Sequence, residues 1–156
     1  MEQRLNYVKI APAGIQAMYR LSKYVEDSGL EHSLIELVKI RASQINGCAY
    51  CIDMHTIDAR AQGETEQRIY LLDAWREAPF YTARERAALA WTEAVTLIFD
   101  GHVSDEDYAA ALEQFSEEEL VNLTLAVVAI NGWNRMAISF RPVPGKYEPQ
   151  KIKATS

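Results

Sequence analysis

Ile45-Asn46-Gly47-Cys48-Ala49-Tyr50-Cys51-Ile52-Asp53-Met54-His55 holds a helix stop, a helix start and both cysteines of the chain. Asn46-Gly47 ends a helix that begins near Leu34, because a glycine or asparagine takes up the left-handed exit at little cost. Cys48 opens the next helix, which runs to about Gln62 and closes at Gly63. Cys48, Cys51 and His55 then lie three and four positions apart, on one side of that helix.

Outward from this stretch the same punctuation repeats. Ser33 with Glu36, Thr82 with Glu85, Ser104 with Asp107 and Ser116 with Glu119 each carry the capping-box spacing that marks a helix start. A first helix spans about Ala13 to Asp27, with Pro12 at its entry and Gly29 at its exit. Further helices are expected over about Glu66–Trp75, Ala83–Phe99, Asp105–Gln114 and Glu117–Ser139, the last disturbed at Asn131-Gly132. Pro142, Pro144 and Pro149 make an extended tail over 141–156. No segment alternates with a period of two, and no hairpin signal is present. The expected fold is all-α: one domain of about seven helices, with the Cys-x-x-Cys at a helix N-terminus. The last helix is apolar over nearly its whole circumference from Leu120 to Ile130. A chain of this size has little interior to surround such a helix, so a second subunit is expected to cover part of it.

Composition narrows the function. The 156 residues carry a net charge of -6 with acids and bases interspersed, which disfavours nucleic acid and anionic membranes as partners. Met1 to Ile10 lacks the apolar run of a signal peptide, and the Leu120–Ile130 stretch is too short to span a bilayer. A cytoplasmic protein is expected, in a compartment that keeps thiols reduced. Two cysteines alone cannot form a disulfide framework. An isolated pair at this spacing serves redox chemistry, holds a metal or packs as inert core.

The redox reading has a physical basis. Residues three apart on a helix have Cβ atoms about 5–6 Å apart, and a disulfide needs about 3.5–4.5 Å, so a small adjustment permits closure. An unperturbed thiol is only about 3% ionised at pH 7, and lowering its pKa to about 7 takes roughly 2 kcal/mol. A helix N-terminus supplies about 0.3–1 kcal/mol of that, up to ~2 in a partly buried site. His55, one turn beyond Cys51, is placed to serve that thiol as base or proton relay. Glu36, on the preceding helix, comes back towards the same turn if the two helices are antiparallel. Zinc is the competing reading of Cys48, Cys51, His55 and Glu36, but no further well-placed ligand is present. Glu36 also has a purely structural reading, as the partner of Ser33 in a capping box.

Glu36, Cys48, Cys51 and His55 together resemble the signature of the alkylhydroperoxidase D family, within the carboxymuconolactone decarboxylase superfamily. The likeness covers about 34–98, and Asn131-Gly132-Trp133-Asn134-Arg135 is similar to the family's last core helix. The resemblance implies an antioxidant peroxidase acting on organic hydroperoxides without haem, flavin or metal. By the same resemblance Cys51 attacks the peroxide, Cys48 donates a proton and then resolves the sulfenic acid, and His55 and Glu36 relay protons. It further implies a dithiol reductant and a homo-oligomer, a trimer or hexamer. Tyr50 stands where some relatives have a second histidine.

Overall fold

A computed structural model describes residues 2–149. The helices are α1 (Tyr7–Ile10), α2 (Pro12–Glu26), α3 (His32–Asn46), α4 (Ala49–Ala61), α5 (Glu66–Tyr70), α6 (Ala83–Thr96), α7 (Asp105–Leu112) and α8 (Glu117–Phe140). A 3-10 turn, Leu72–Ala74, follows α5. There is no strand among the described residues. The architecture is all-α, as expected. The additional helix is α1, a single turn in which the Asn6 side chain accepts from the Lys9 amide.

The hub is α3, packed against α4, α6 and α8. Ile35, Leu37, Val38 and Ile40 are all fully enclosed, so this helix is apolar on several sides because it has neighbours on several sides. Ile35 and Val38 meet Trp91, Phe115, Leu123 and Val127, while Leu37 and Ile40 meet Ala59, Leu72, Trp75 and Leu89. A third, smaller cluster joins Ala42 and Ile130 to the two cysteines.

Three expectations need correction. Ser33 and Glu36 form no capping box: α3 starts earlier, at His32 with Glu31 as its cap residue, and Glu36 turns inward. The single helix expected over Glu66–Trp75 breaks into α5 and the 3-10 turn. Ile69, Leu72 and Trp75 are all buried, and the three-residue repeat of a 3-10 turn holds such a series on one side. Finally, α8 is continuous through Asn131-Gly132. Asn131 bonds back to the Val127 carbonyl and across to Thr96, while Gly132 admits Met18, whose Cε would lie 2.7 Å from an added Cβ. The capping boxes at Thr82 and Ser116 form in full, and Ser104 accepts from the Asp107 amide.

The apolar girth of α8 is not fully covered within one chain. Leu120, Leu123 and Val127 are enclosed, but Val121 and Val128 are 60% and 50% exposed. No helix among the described residues is long and apolar enough to cross a membrane. After Arg141 the chain leaves helical geometry and runs back along α4. Residues 150–156 of the expected tail lie outside the described residues.

Candidate active site

The turn between α3 and α4 is built by hydrogen bonds that glycine makes possible. Gly47 has φ +67°, its amide donates to Gln44, and the Cys48 amide donates 2.9 Å to the Ser43 carbonyl. These are the two bonds of a Schellman motif. They place Cys48 as the cap residue of α4 and Cys51 in its first turn.

Both thiols are free and buried, with their sulfurs 2.7 Å apart. Less than an ångström of relative movement would bring them to disulfide distance. Cys48 is lowered to about 7. The largest cause is the Cys51 thiol donating to its sulfur; burial opposes this, and the Cys51 and Tyr50 amides and the Asn134 side chain assist. Cys51 is pushed up by holding that shared proton, by burial and by the charge on Cys48. The pair therefore gives up its first proton readily and its second reluctantly.

One turn farther along α4, His55 meets Glu36 from α3, and both are buried. Nδ1 of His55 lies 2.9 Å from Oε2 of Glu36, and Nζ of Lys39 lies 2.9 Å from Oε1. An ionised carboxylate only accepts, so Nδ1 of the imidazole carries the hydrogen and Nε2 is the free base in the neutral ring. Burial raises the Glu36 pKa, but the hydrogen bond and charge of His55, together with Lys39, outweigh it and leave the carboxyl below its usual value. Among the described residues His55 bonds to neither sulfur. The structure thus sets the dithiol and the His55–Glu36 dyad on successive turns of one helix.

Among the described residues, Glu36, His55 and Asp58 form a group with metal-ligand character, their donor atoms within 4.8 Å of one another, and neither cysteine belongs to it. Lys39 and His55 occupy the two Glu36 oxygens, and the Tyr147 hydroxyl spans both Asp58 oxygens at 2.8 and 3.0 Å. A cation there would have to displace these partners. Sequence reasoning missed Asp58 and Tyr147 as neighbours of the dyad, and it named Asn134 only within the stretch similar to the family's last core helix. Asn134 is fully buried, between Ile130 and Ala137, which pack in the cluster of the cysteines.

Residues 12–94 match the model of the carboxymuconolactone decarboxylase family, more than half of the sequence. The chain belongs to this family. A relative from Bacillus subtilis (strain 168), the uncharacterized protein YdfG, is 50% identical over 139 residues, which cover 89% of this chain and 95% of that one. Among solved structures, ATU0492 from Agrobacterium tumefaciens is 46% identical with a TM-score of 0.90, covering 94% of this chain and 100% of that one. It is a protein of unknown function proposed to be the antioxidant defence protein AhpD. The debrominase Bmp8 has the same fold at 19% identity, with a TM-score of 0.80 over 89% of this chain and 75% of its own. This member of the carboxymuconolactone decarboxylase family is thus AhpD-like in its fold and carries a Cys-x-x-Cys.

Proposed function

We propose that the protein is a thiol peroxidase that reduces organic hydroperoxides through a Cys48–Cys51 dithiol–disulfide cycle. The observation that carries the reading is the pair of buried sulfurs 2.7 Å apart, one helical turn from the His55–Glu36 dyad. One proton leaves the dithiol for Nε2 of His55. The remaining proton moves between the sulfurs, from Cys51 to Cys48. The Cys51 thiolate then attacks the distal peroxide oxygen, the O–O bond breaks, and the Cys48 thiol protonates the departing alkoxide. Cys48, now a thiolate, attacks the Cys51 sulfenic acid, and hydroxide leaves with the proton held by His55. The products are the disulfide, one alcohol and one water; the two sulfurs are oxidised and the peroxide is reduced. A dithiol of another molecule restores the pair, and the exposed Val121 and Val128 favour a homo-oligomer.

The test is a single turnover of pre-reduced protein with cumene hydroperoxide, with thiols counted before and after. Stoichiometric consumption with loss of both thiols, abolished in Cys51→Ser, is expected. Normal consumption by Cys51→Ser would refute the assignment.

The low pKa of Cys48 favours a second reading, thiol–disulfide exchange with Cys48 attacking a protein disulfide. In that case peroxide is not consumed, and a small disulfide oxidises the pair through a mixed disulfide on Cys48.

A further inference from the structure

The tail is pinned to α4 at two points. The Gly145 amide donates to Oδ2 of Asp53 at 2.7 Å, and the Tyr147 hydroxyl spans both oxygens of Asp58 at 2.8 and 3.0 Å. Two residues of extended chain cover about 7 Å, and five residues of helix rise about 7.5 Å, so the tail follows α4 between these pins with little slack. Pro142 and Pro144 stiffen the approach, since each fixes its own φ. Asp58 stands three positions after His55, on the same side of α4. Its carboxylate comes within 4.8 Å of the facing atoms of His55 and Glu36. Among the described residues it is hydrogen-bonded to Tyr147 and to neither member of the dyad.

Glu36 and His55 are buried, and the Lys39 side chain is only 14% exposed. Two carboxylates, Glu36 and Asp58, meet one ammonium, Lys39, so one negative charge has no partner while the imidazole is neutral. A proton on Nε2 of His55 makes the cluster neutral. Without Asp58 the same proton would leave it positive in a place with little access to water, a state that burial disfavours. We propose that Asp58, pinned by Tyr147 of the tail, is a positioning residue that acts through His55 by supplying the counter-charge for its imidazolium. His55 needs that form in the thiol-peroxidase reading, on which the proposal rests: it holds the proton of the dithiol until hydroxide leaves. Burial raises the Asp58 carboxyl above its usual value, and the Tyr147 hydroxyl is the largest influence against that rise, so the tail keeps the counter-charge ionised as well as in place. The same contacts fasten the tail to α4, a structural role that must be separated from the electrostatic one.

The experiment is an NMR titration of the imidazole signals in the reduced protein, for wild type and Asp58→Asn, with melting temperatures measured in parallel. Asparagine keeps the shape and leaves an oxygen for the Tyr147 hydroxyl. The signals of His55 are read against those of His32 and His102. The thiols contribute alike to both proteins, so the difference between the two His55 midpoints reports Asp58. Loss of the carboxylate should lower the midpoint by about one unit, cutting the imidazolium at a pH above it about tenfold. A carboxylate that only anchors the tail would lower the melting temperature on substitution and leave the midpoint within about 0.2 unit of wild type, which overturns the proposal. If Asp58→Asn does not fold, Tyr147→Phe decides. It leaves the charge present without its donor, and a half-buried carboxylate in that position turns towards water. A downward shift of about half a unit is then expected, whereas an unchanged midpoint overturns the proposal. The titration uses no peroxide. A wild-type protein that fails to consume cumene hydroperoxide refutes the peroxidase reading and leaves the Asp58 result standing, while a working peroxidase with an unmoved midpoint does the reverse.

Discussion

Glu36→Gln tests the dyad with the smallest change of shape. The wild-type carboxylate has two oxygens and two donors, Nδ1 of His55 and Nζ of Lys39, each 2.9 Å away. Glutamine has one oxygen. If that oxygen stays with Lys39, the amide hydrogens face Nδ1 and force the imidazole into its other tautomer. If it turns to His55, the amide hydrogens face the ammonium. Either way one charge-assisted hydrogen bond is lost, worth about 1.5–3 kcal/mol. The Lys39 side chain retains some solvent access and can swing its ammonium outward, so the lower half of that range is expected. The pH dependence follows from the depressed pKa of Glu36. A carboxyl group held below its unfolded value stabilises the protein fully above that value, and the contribution is lost as pH falls through the folded value. The stability gap between wild type and Glu36→Gln should therefore be about 1.5–2 kcal/mol at neutral pH and shrink on acidification, as the wild-type carboxyl becomes a neutral group. Urea unfolding at a series of pH values measures it. A gap below about 0.5 kcal/mol at neutral pH, or one that does not change on acidification, would refute this account of the dyad.

Other positions give independent checks. Tyr147→Phe removes the hydroxyl that spans Asp58 and should cost about 1 kcal/mol in urea unfolding, with the helical circular dichroism unchanged. Ser116→Ala opens the capping box of α8 and should cost about 1 kcal/mol, and Ser116→Gly less, by the same measurement. Gly132→Ala meets only the flexible end of Met18, so the gain in helix propensity offsets the displacement, and a stability change within about 0.5 kcal/mol is expected. Gly132→Val adds branches that Met18 cannot clear and should destabilise by about 1–3 kcal/mol.

The helices were legible because their ends are encoded locally. Asn46-Gly47, Thr82 with Glu85, and Ser116 with Glu119 each act within a few residues, and each forms as its pattern implies. Ser33 with Glu36 shows the limit of such patterns. The same spacing occurs, but the helix begins before it, and the carboxylate pairs with His55 across 19 positions. Local spacing is blind to the competition between a cap and a buried partner. Asn134 and Tyr147 were harder still. Their partners, Ser43 and Asp58, are 91 and 89 positions away, and only the return of α8 and the tail onto α3 and α4 brings them together. The break after α5 had a similar origin: tertiary burial of Leu72 and Trp75 overrode a stretch whose composition suits a continuous helix.

The depressed pKa of Cys48 does not by itself choose between peroxide reduction and disulfide exchange. With the sulfurs 2.7 Å apart and sharing one proton, the negative charge belongs to the pair, and the midpoint of about 7 belongs to the first ionisation of both. Reactivity then depends on which sulfur an electrophile can reach when the proton shifts. In the dithiol both sulfurs are buried, so neither has a decisive advantage in access. The dyad breaks this symmetry. His55 stands one turn beyond Cys51 and two beyond Cys48, so an imidazole–carboxylate pair that returns a proton to a leaving hydroxide does so most directly at Cys51. Exchange with a protein disulfide needs no hydroxide to leave and gives the dyad no such task. The buried His55–Glu36 pair, held at the expense of desolvating a carboxylate, is therefore the feature that favours peroxide as the oxidant.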